Sequence, residues 1–198
     1  MLEQAAVYAA QHDARVKFVR GSSYDLGDQL GQFQLVAMGR SFHWMDRAAT
    51  LTALLGLVPE DGALALFGDT HLDLPANTWR KRFQSIIEPF AARDSAHATR
   101  RGNPAWLPHE AVLLASRFNQ LERVSVIREL ETPIERLLDR ALSMSTTSPQ
   151  RLGAEQEQLI ETLRTALNEE ASAGVITEVV KSHALLAFRR RPATPSRI

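Results

Sequence analysis

The sequence has 198 residues, 44% hydrophobic and 23% charged, and its formal net charge is +0. Balanced charge argues against a general attraction to nucleic acid or an anionic membrane. The absence of cysteine excludes disulfides, thiolate metal sites and a cysteine nucleophile.

The chain opens in a helical pattern, with Leu2, Ala5, Ala6, Ala9 and Ala10 at helical spacing, a face suited to packing on a sheet. The start, MLEQAAVYAAQHD, has no basic-then-apolar leader, and no apolar run is long enough to span a bilayer, so the cytoplasm is the expected location. Residues 14–20 (ARVKFVR) alternate as a strand, ended by Gly21, Ser22 and Ser23. Residues 33–38 (FQLVAM) read as a buried strand. It breaks at Gly39, and Arg40, Ser41, Phe42, His43 and Trp44 follow at once. Asp46 is placed to cap a helix reaching about Leu57, with Ala49, Leu51, Leu54 and Leu55 inward. A Pro59-Glu60-Asp61-Gly62 turn leads into a short strand, residues 62–67. Helix, strand, helix, strand is the grammar of an open α/β sheet, whose strand ends and helix amino termini converge on ligands.

Beyond Gly68 the texture changes. Residues 71–75 read as a loop and 78–92 as an amphipathic helix with Trp79, Phe83, Ile86, Ile87 and Phe90 on one side. Residues 94–104 are polar, and 108–118 read as a helix. Residues 121–130 alternate as a strand. Residues 133–142 form a helix with Thr132 as cap, and the hydroxyl-rich 143–149 form a loop. A single long helix is expected over 151–170. A strand broken near Lys181 is expected over 175–188, followed by a disordered tail at 191–198.

Several of these pieces together resemble class I S-adenosylmethionine-dependent methyltransferases of the type 11, trans-aconitate methyltransferase-like group. The residues are the opening Met1-Leu2 helix, the Gly21-Ser22-Ser23 turn, the run Ser41-Phe42-His43-Trp44-Met45-Asp46 after an apolar strand, and the Pro59-Glu60-Asp61-Gly62 turn. The late Ser143-Met144-Ser145-Thr146 and the final strand ending in basic residues also fit that group. The resemblance covers nearly the whole chain. It implies a Rossmann-like sheet with a helical insertion between the fifth strand and the last two, so that 1–190 is one partial domain with 69–120 and 131–173 covering the substrate. It also implies S-adenosylmethionine as cofactor and a small-molecule acceptor, with a carboxylic acid as one class. The chain departs from the family in one respect: no Gly-x-Gly-x-Gly loop occurs in it. The resemblance is therefore to a methyltransferase without its first β-α-β unit, active only if that unit is supplied. Such a sheet would expose a strand edge, so self-association there is a further expectation.

The resemblance places Gly21, Ser22, Ser23, Arg40 and Ser41 against the cofactor, and Phe42, His43, Trp44, Ser143 and Ser145 against the acceptor, with His43 as the catalytic candidate. The residues alone leave alternatives. Gly21 to Ser23 also suit a plain strand-ending turn. His43 suits a base or a packed sheet-edge residue equally, and Trp44 favours packing. Ser143, Ser145 and Thr146 suit a helix cap or turn. Arg40, Arg80, Lys81, Arg82, Arg100 and Arg101 could hold a carboxylate, but charged helix faces are usually just solvated. His71, His97, His109 and His183 have no metal-ligand spacing. Two other functions stand beside methyl transfer. One is a non-catalytic scaffold that kept the fold and lost the loop. The other is a nucleotide-dependent oxidoreductase, which needs a dinucleotide loop equally absent.

Overall fold

A computed structural model describes residues 2–92 and 106–189. The polar stretch 94–104, with Arg100, Arg101 and His97, and the tail at 191–198 lie outside the described residues. The fold is α/β, with one four-stranded sheet in the order β1-β2-β4-β3 among the described residues. In chain order the elements are α1 (Leu2–Gln11), β1 (Leu35–Gly39), α2 (Arg47–Leu57), β2 (Ala63–His71), α3 (Trp79–Ala92), α4 (His109–Leu114) and β3 (Gln120–Pro133). α5 (Ile134–Leu142), α6 (Pro149–Leu152), α7 (Gln156–Asn168) and β4 (Val175–Phe188) complete the chain. Neighbouring β1 and β2 are joined by the α2 crossover, the kind of connection parallel neighbours use. No helix among the described residues is long and apolar enough to cross a membrane.

The chain divides into two compact units, Met1–Ala65 with His109–Leu121 and Ala187–Ile198, and Leu66–Pro108 with Glu122–Leu186. In the first, Asp46 caps α2 as its sequence position requires. Its Oδ1 accepts from the Ala49 backbone N–H at 3.0 Å, satisfying one of the open first-turn donors. The buried face of α2 is Thr50, Leu51, Leu54 and Leu57, whereas Ala49 is exposed and Leu55 only half-buried. The buried stripe thus begins at Thr50 and ends at Leu57, off the expected register at both ends. At the far end of α2 the Arg189 guanidinium donates to the Leu55 and Val58 carbonyls, which the helix leaves open, and lies 5.5 Å over the Phe118 ring. Gly62 is required by closeness. A Cβ there would meet Val58 Cγ1 at 2.8 Å and the Gln34 carbonyl at 3.0 Å, where Ala63 N–H bonds to that same carbonyl.

The second unit is built around one apolar cluster. Trp79, Phe83 and Ile87 of α3, Ile134, Leu137, Leu138 and Ala141 of α5, and Leu159, Leu163 and Leu167 of α7 are all buried there with Leu152 and Ile176. Both α3 and α5 pack on α7. Each fully buried leucine contributes about 1.5–3 kcal/mol over its exposed state. Asn77 is buried beside this cluster and ties two segments of backbone. Its amide donates to the Leu72 and Val179 carbonyls at 2.7 and 2.8 Å and accepts from Val179 N–H at 2.9 Å.

Several sequence expectations are corrected. Residues 14–20 form no strand, because no described strand pairs with them. Val16, Phe18 and Val19 are exposed, and a lone extended segment has nothing to satisfy its backbone. The strand at 33–38 is shorter, Leu35–Gly39, and mostly exposed, with only Met38 buried, because β1 lies at the end of the sheet. α1 buries only Ala9. β2 runs on to His71, past the expected strand end at residue 67 and into the first residue of the loop expected at 71–75. The helix at 108–118 closes at Leu114. Thr132 does not cap α5; its hydroxyl donates to Glu178 instead. The long helix at 151–170 breaks at Gly153, whose φ of 51° favours glycine. β4 runs unbroken through Lys181.

Candidate functional site

The sequence-predicted residues at the end of β1 form a compact turn in the first unit. Arg40 has φ 52°, a left-handed conformation uncommon outside glycine, and it redirects the chain out of β1. Ser41 then leads into a one-turn 3-10 helix, Phe42–Trp44, closed by the Trp44 N–H on the Ser41 carbonyl at 2.9 Å. Phe42 is 2% exposed and anchors the turn, while Trp44 is 46% exposed. The packing preference for Trp44 is thus corrected, since its neighbour Phe42 fills the core and leaves the indole on the surface. His43 is half-buried, with its ring centroid 4.9 Å from Trp44.

One residue that the sequence offered only among histidines without metal-ligand spacing joins them. His109, at the start of α4, lies 5.1 Å from Phe42 and 6.5 Å from His43 by ring centroids. The Arg47 guanidinium donates to its Nδ1 at 3.3 Å. Burial lowers the His109 pKa, with further lowering from the Arg47 and His43 charges against a smaller opposite effect of Glu110. A guanidinium can only donate, so Nδ1 accepts here, and the lowered pKa favours the neutral imidazole. Burial likewise lowers the Arg47 pKa. The turn thus gathers two imidazoles, the exposed Trp44 ring and the hydroxyl of Ser41 around the buried Phe42, an arrangement able to orient a polar small molecule and to pass a proton. The signal in the sequence was Pro108-His109 opening a helix, which spacing alone could not connect to residue 43.

Gly21, Ser22 and Ser23 fold on themselves. The Ser22 hydroxyl accepts from Tyr24 N–H at 3.3 Å and the Ser22 N–H donates to Asp25 at 2.8 Å, a reciprocal capping box for the 3-10 turn Ser23–Asp25. In the second unit, the Ser143 hydroxyl donates to the Arg140 carbonyl at 2.8 Å at the end of α5, and Ser145 is exposed. Thr147, entirely buried, donates to the Ala141 carbonyl at 2.5 Å. The hydroxyls of Ser22, Ser143 and Thr147 therefore serve local backbone.

A second cluster that the sequence did not announce lies in the second unit. Glu178, in the apolar run of β4, has no exposed surface. Its carboxylate accepts two hydrogen bonds from Arg140, both at 2.8 Å, one from Thr132 at 2.6 Å and one from His71 Nε2 at 2.7 Å. Burial by itself would raise the Glu178 pKa, but the bonds from Arg140, His71 and Thr132 together with the Arg140 charge hold it far below the usual carboxylate range. Arg80, partly desolvated, stands near Arg140 and Glu178. Every lone-pair direction of Glu178 is taken, which makes the cluster a structural tie. Among the described residues no group of three or more His, Asp or Glu is placed to hold a metal ion.

No protein-family model matches the sequence, and no curated protein matches it. Among solved structures, the chain is similar to a protein described as a type II methyltransferase from Anaeromyxobacter dehalogenans, at 15% identity and a TM-score of 0.47, over 88% of this chain and 72% of that one. It is similar to a protein described as a methyltransferase from Bacillus halodurans, at 16% identity and a TM-score of 0.46, over 94% and 77%. A third is the YcgJ protein of Bacillus subtilis, at 16% identity and a TM-score of 0.46, over 97% and 79%. These are similarities in the arrangement of helices and sheet, and they name no side chain.

Whether these residues fit S-adenosylmethionine can be judged from the turn itself. Beyond Gly39 a Cβ would meet nothing within 4 Å, so a flat ring could approach the backbone there, with Arg40 and Ser41 beside it. The chain has no glycine-rich loop for a methionine carboxylate, and the Ser22 hydroxyl is engaged in its own cap. The fit is partial: the backbone is open at Gly39, and no glycine-rich turn is present to seat the methionine carboxylate.

Proposed function

We propose that this chain is the acceptor-side part of an S-adenosylmethionine-dependent methyltransferase acting on a small molecule, with a carboxylic acid as the acceptor class. The observation that carries the reading is the turn after β1, where Ser41, His43 and Trp44 stand over the buried Phe42 between a strand end and the capped amino terminus of α2. The cofactor supplies an electrophilic methyl group on a sulfonium, and such a reaction needs mainly alignment and a dry pocket. Phe42 fixes the turn. His43 orients the acceptor or takes its proton, Trp44 shields the pocket from water, and Arg40 meets an acceptor carboxylate. His43 would be the catalytic residue, and Arg40 and Ser41 would border the cofactor with the Gly21 to Ser23 turn. A glycine-rich β-α-β unit completes the cofactor seat, and the outer edge of β1, exposed at Leu35, is where it would pair.

Two proteins test the proposal, the 198-residue chain and the same chain extended by the in-frame upstream coding sequence. Each is titrated calorimetrically with S-adenosylmethionine and assayed for transfer of a labelled methyl group to a panel of small acids. Saturable binding by either protein and labelled product are expected, with the product lost in His43→Ala and cofactor binding retained. If neither protein binds cofactor, or the upstream frame is closed and the 198-residue chain stays inert, the non-catalytic scaffold takes its place.

A further inference from the structure

The end of the sheet away from β1 has a feature that methyl transfer does not use. β3 is the terminal strand in the order β1-β2-β4-β3, so one of its edges has no neighbour in the sheet among the described residues. It is long, Gln120–Pro133, and residues 122–129 are all exposed. Alternation puts Glu122, Val124, Val126 and Arg128 on one face and Arg123, Ser125, Ile127 and Glu129 on the other. Val124, Val126 and Ile127 are 56%, 55% and 58% exposed. Natural edge strands are usually short, bulged or covered, because a row of unpaired backbone groups templates pairing with another chain. This one is long, carries β-branched residues on both faces, and has no proline before Pro133.

Its charges identify the occupant. Read along one face, the order is acid, apolar, apolar, base: Glu122, Val124, Val126, Arg128. Reversing that string and laying it against itself places every residue opposite its complement. An antiparallel pairing centred on Ser125 sets Glu122 across from the partner's Arg128, Val124 across from the partner's Val126, and Ser125 across from the partner's Ser125. By symmetry the first two pairs occur twice and the Ser125 pair lies on the axis, as a two-fold axis requires. A shift of one residue in either strand moves the centre off Ser125 and breaks the opposition of Glu122 and Arg128.

We propose that two copies of this chain associate through β3, antiparallel and centred on Ser125, with Glu122 and Arg128 fixing the register. The proposal does not depend on the methyl-transfer reading. The edge it uses is the opposite one from β1, where a cofactor-binding unit would pair.

The absence of cysteine makes the register directly readable. Ser125→Cys in the full chain brings two thiols across the axis, within the roughly 4.4–6.8 Å Cα spacing a disulfide accepts. Mild oxidation should give a covalent dimer in high yield. Ile127→Cys, whose thiols would lie far apart in this register, should give little. Sedimentation velocity of the uncrosslinked protein supplies the second arm. Glu122→Arg alone or Arg128→Glu alone sets two like-charge pairs across the axis and should weaken the dimer by roughly tenfold or more. The double variant Glu122→Arg/Arg128→Glu should restore it. Far-UV circular dichroism checks that each variant is folded. A wild-type chain that is monomeric at every concentration, a dimer indifferent to both single charge reversals, or preferential cross-linking through Ile127→Cys would overturn the proposal.

Discussion

Removing Arg140 exposes how the second unit is held together. In Arg140→Ala, Glu178 stays where β4 puts it, with no exposed surface, but loses both 2.8 Å bonds and its neutralising charge. His71 and Thr132 keep their bonds at 2.7 and 2.6 Å, so the carboxylate is half satisfied. Breaking a buried pair by deleting one partner costs about 3–5 kcal/mol, because the charge left behind is uncompensated. The two surviving bonds place this variant near the lower end, about 3 kcal/mol, and for a chain of this size that lowers Tm by roughly 6–12 °C. Replacing both partners, as in Arg140→Leu/Glu178→Leu, removes the orphaned charge and should recover most of the loss. The pH dependence has a defined sign. A carboxyl whose pKa is depressed by folding contributes stability above its ordinary value of 4.5, and that contribution disappears as pH falls through the folded pKa. The wild type should therefore lose stability below about pH 4.5 more steeply than the double variant. Urea unfolding followed by far-UV circular dichroism across pH 3 to 7 measures all of this. An Arg140→Ala variant within about 1 kcal/mol of wild type, or no less stable than the double variant, would refute the reasoning.

Three further outcomes are expected. Asp46→Ala leaves the Ala49 N–H without its cap and should cost about 0.5–2 kcal/mol in urea unfolding, with Asp46→Asn recovering most of it. Asn77→Ala orphans the Val179 N–H and takes one donor from each of the Leu72 and Val179 carbonyls; it should cost about 1–3 kcal/mol and speed amide exchange at Val179, measured by hydrogen exchange. His109 has a pKa lowered first by burial, so its contribution is complete above about pH 6.5 and is lost as pH falls through the folded value. Stability should drop with a slope of up to about 1.4 kcal/mol per pH unit in that window, and His109→Gln should flatten it.

What the sequence made legible was local. Asp46 followed by an apolar-periodic stretch specifies a capped helix, and Pro59 to Gly62 specifies the turn into β2, so both are present where their chemistry puts them. The cluster at residues 40–44 was legible for the same reason: a strand pattern ending at Gly39 beside polar and aromatic groups can only be a sheet edge or a turn. What failed was anything decided by partners distant in sequence. Residues 14–20 alternate like a strand, but pairing depends on a neighbour the alternation does not encode. Thr132 sits in a cap position and is drawn away by Glu178, which is 46 residues later. Glu178 lies in a stretch that the sequence marks only as a strand. Only the fold brings Arg140, His71 and Thr132 around it. The pairing of His109 with Arg47 and the ring of Phe42 was hidden in the same way.

The most direct test of the methyl-transfer account is calorimetric titration of S-adenosylmethionine into the 198-residue chain and into its upstream-extended form, repeated with His43→Ala and with an acid acceptor present. The account predicts saturable cofactor binding by at least one of the two proteins, with labelled methyl appearing on the acceptor in wild type and falling by roughly a hundredfold or more in His43→Ala. Cofactor binding with full transfer in His43→Ala would contradict the role given to the turn after β1. Absence of binding in both proteins would contradict methyl transfer itself.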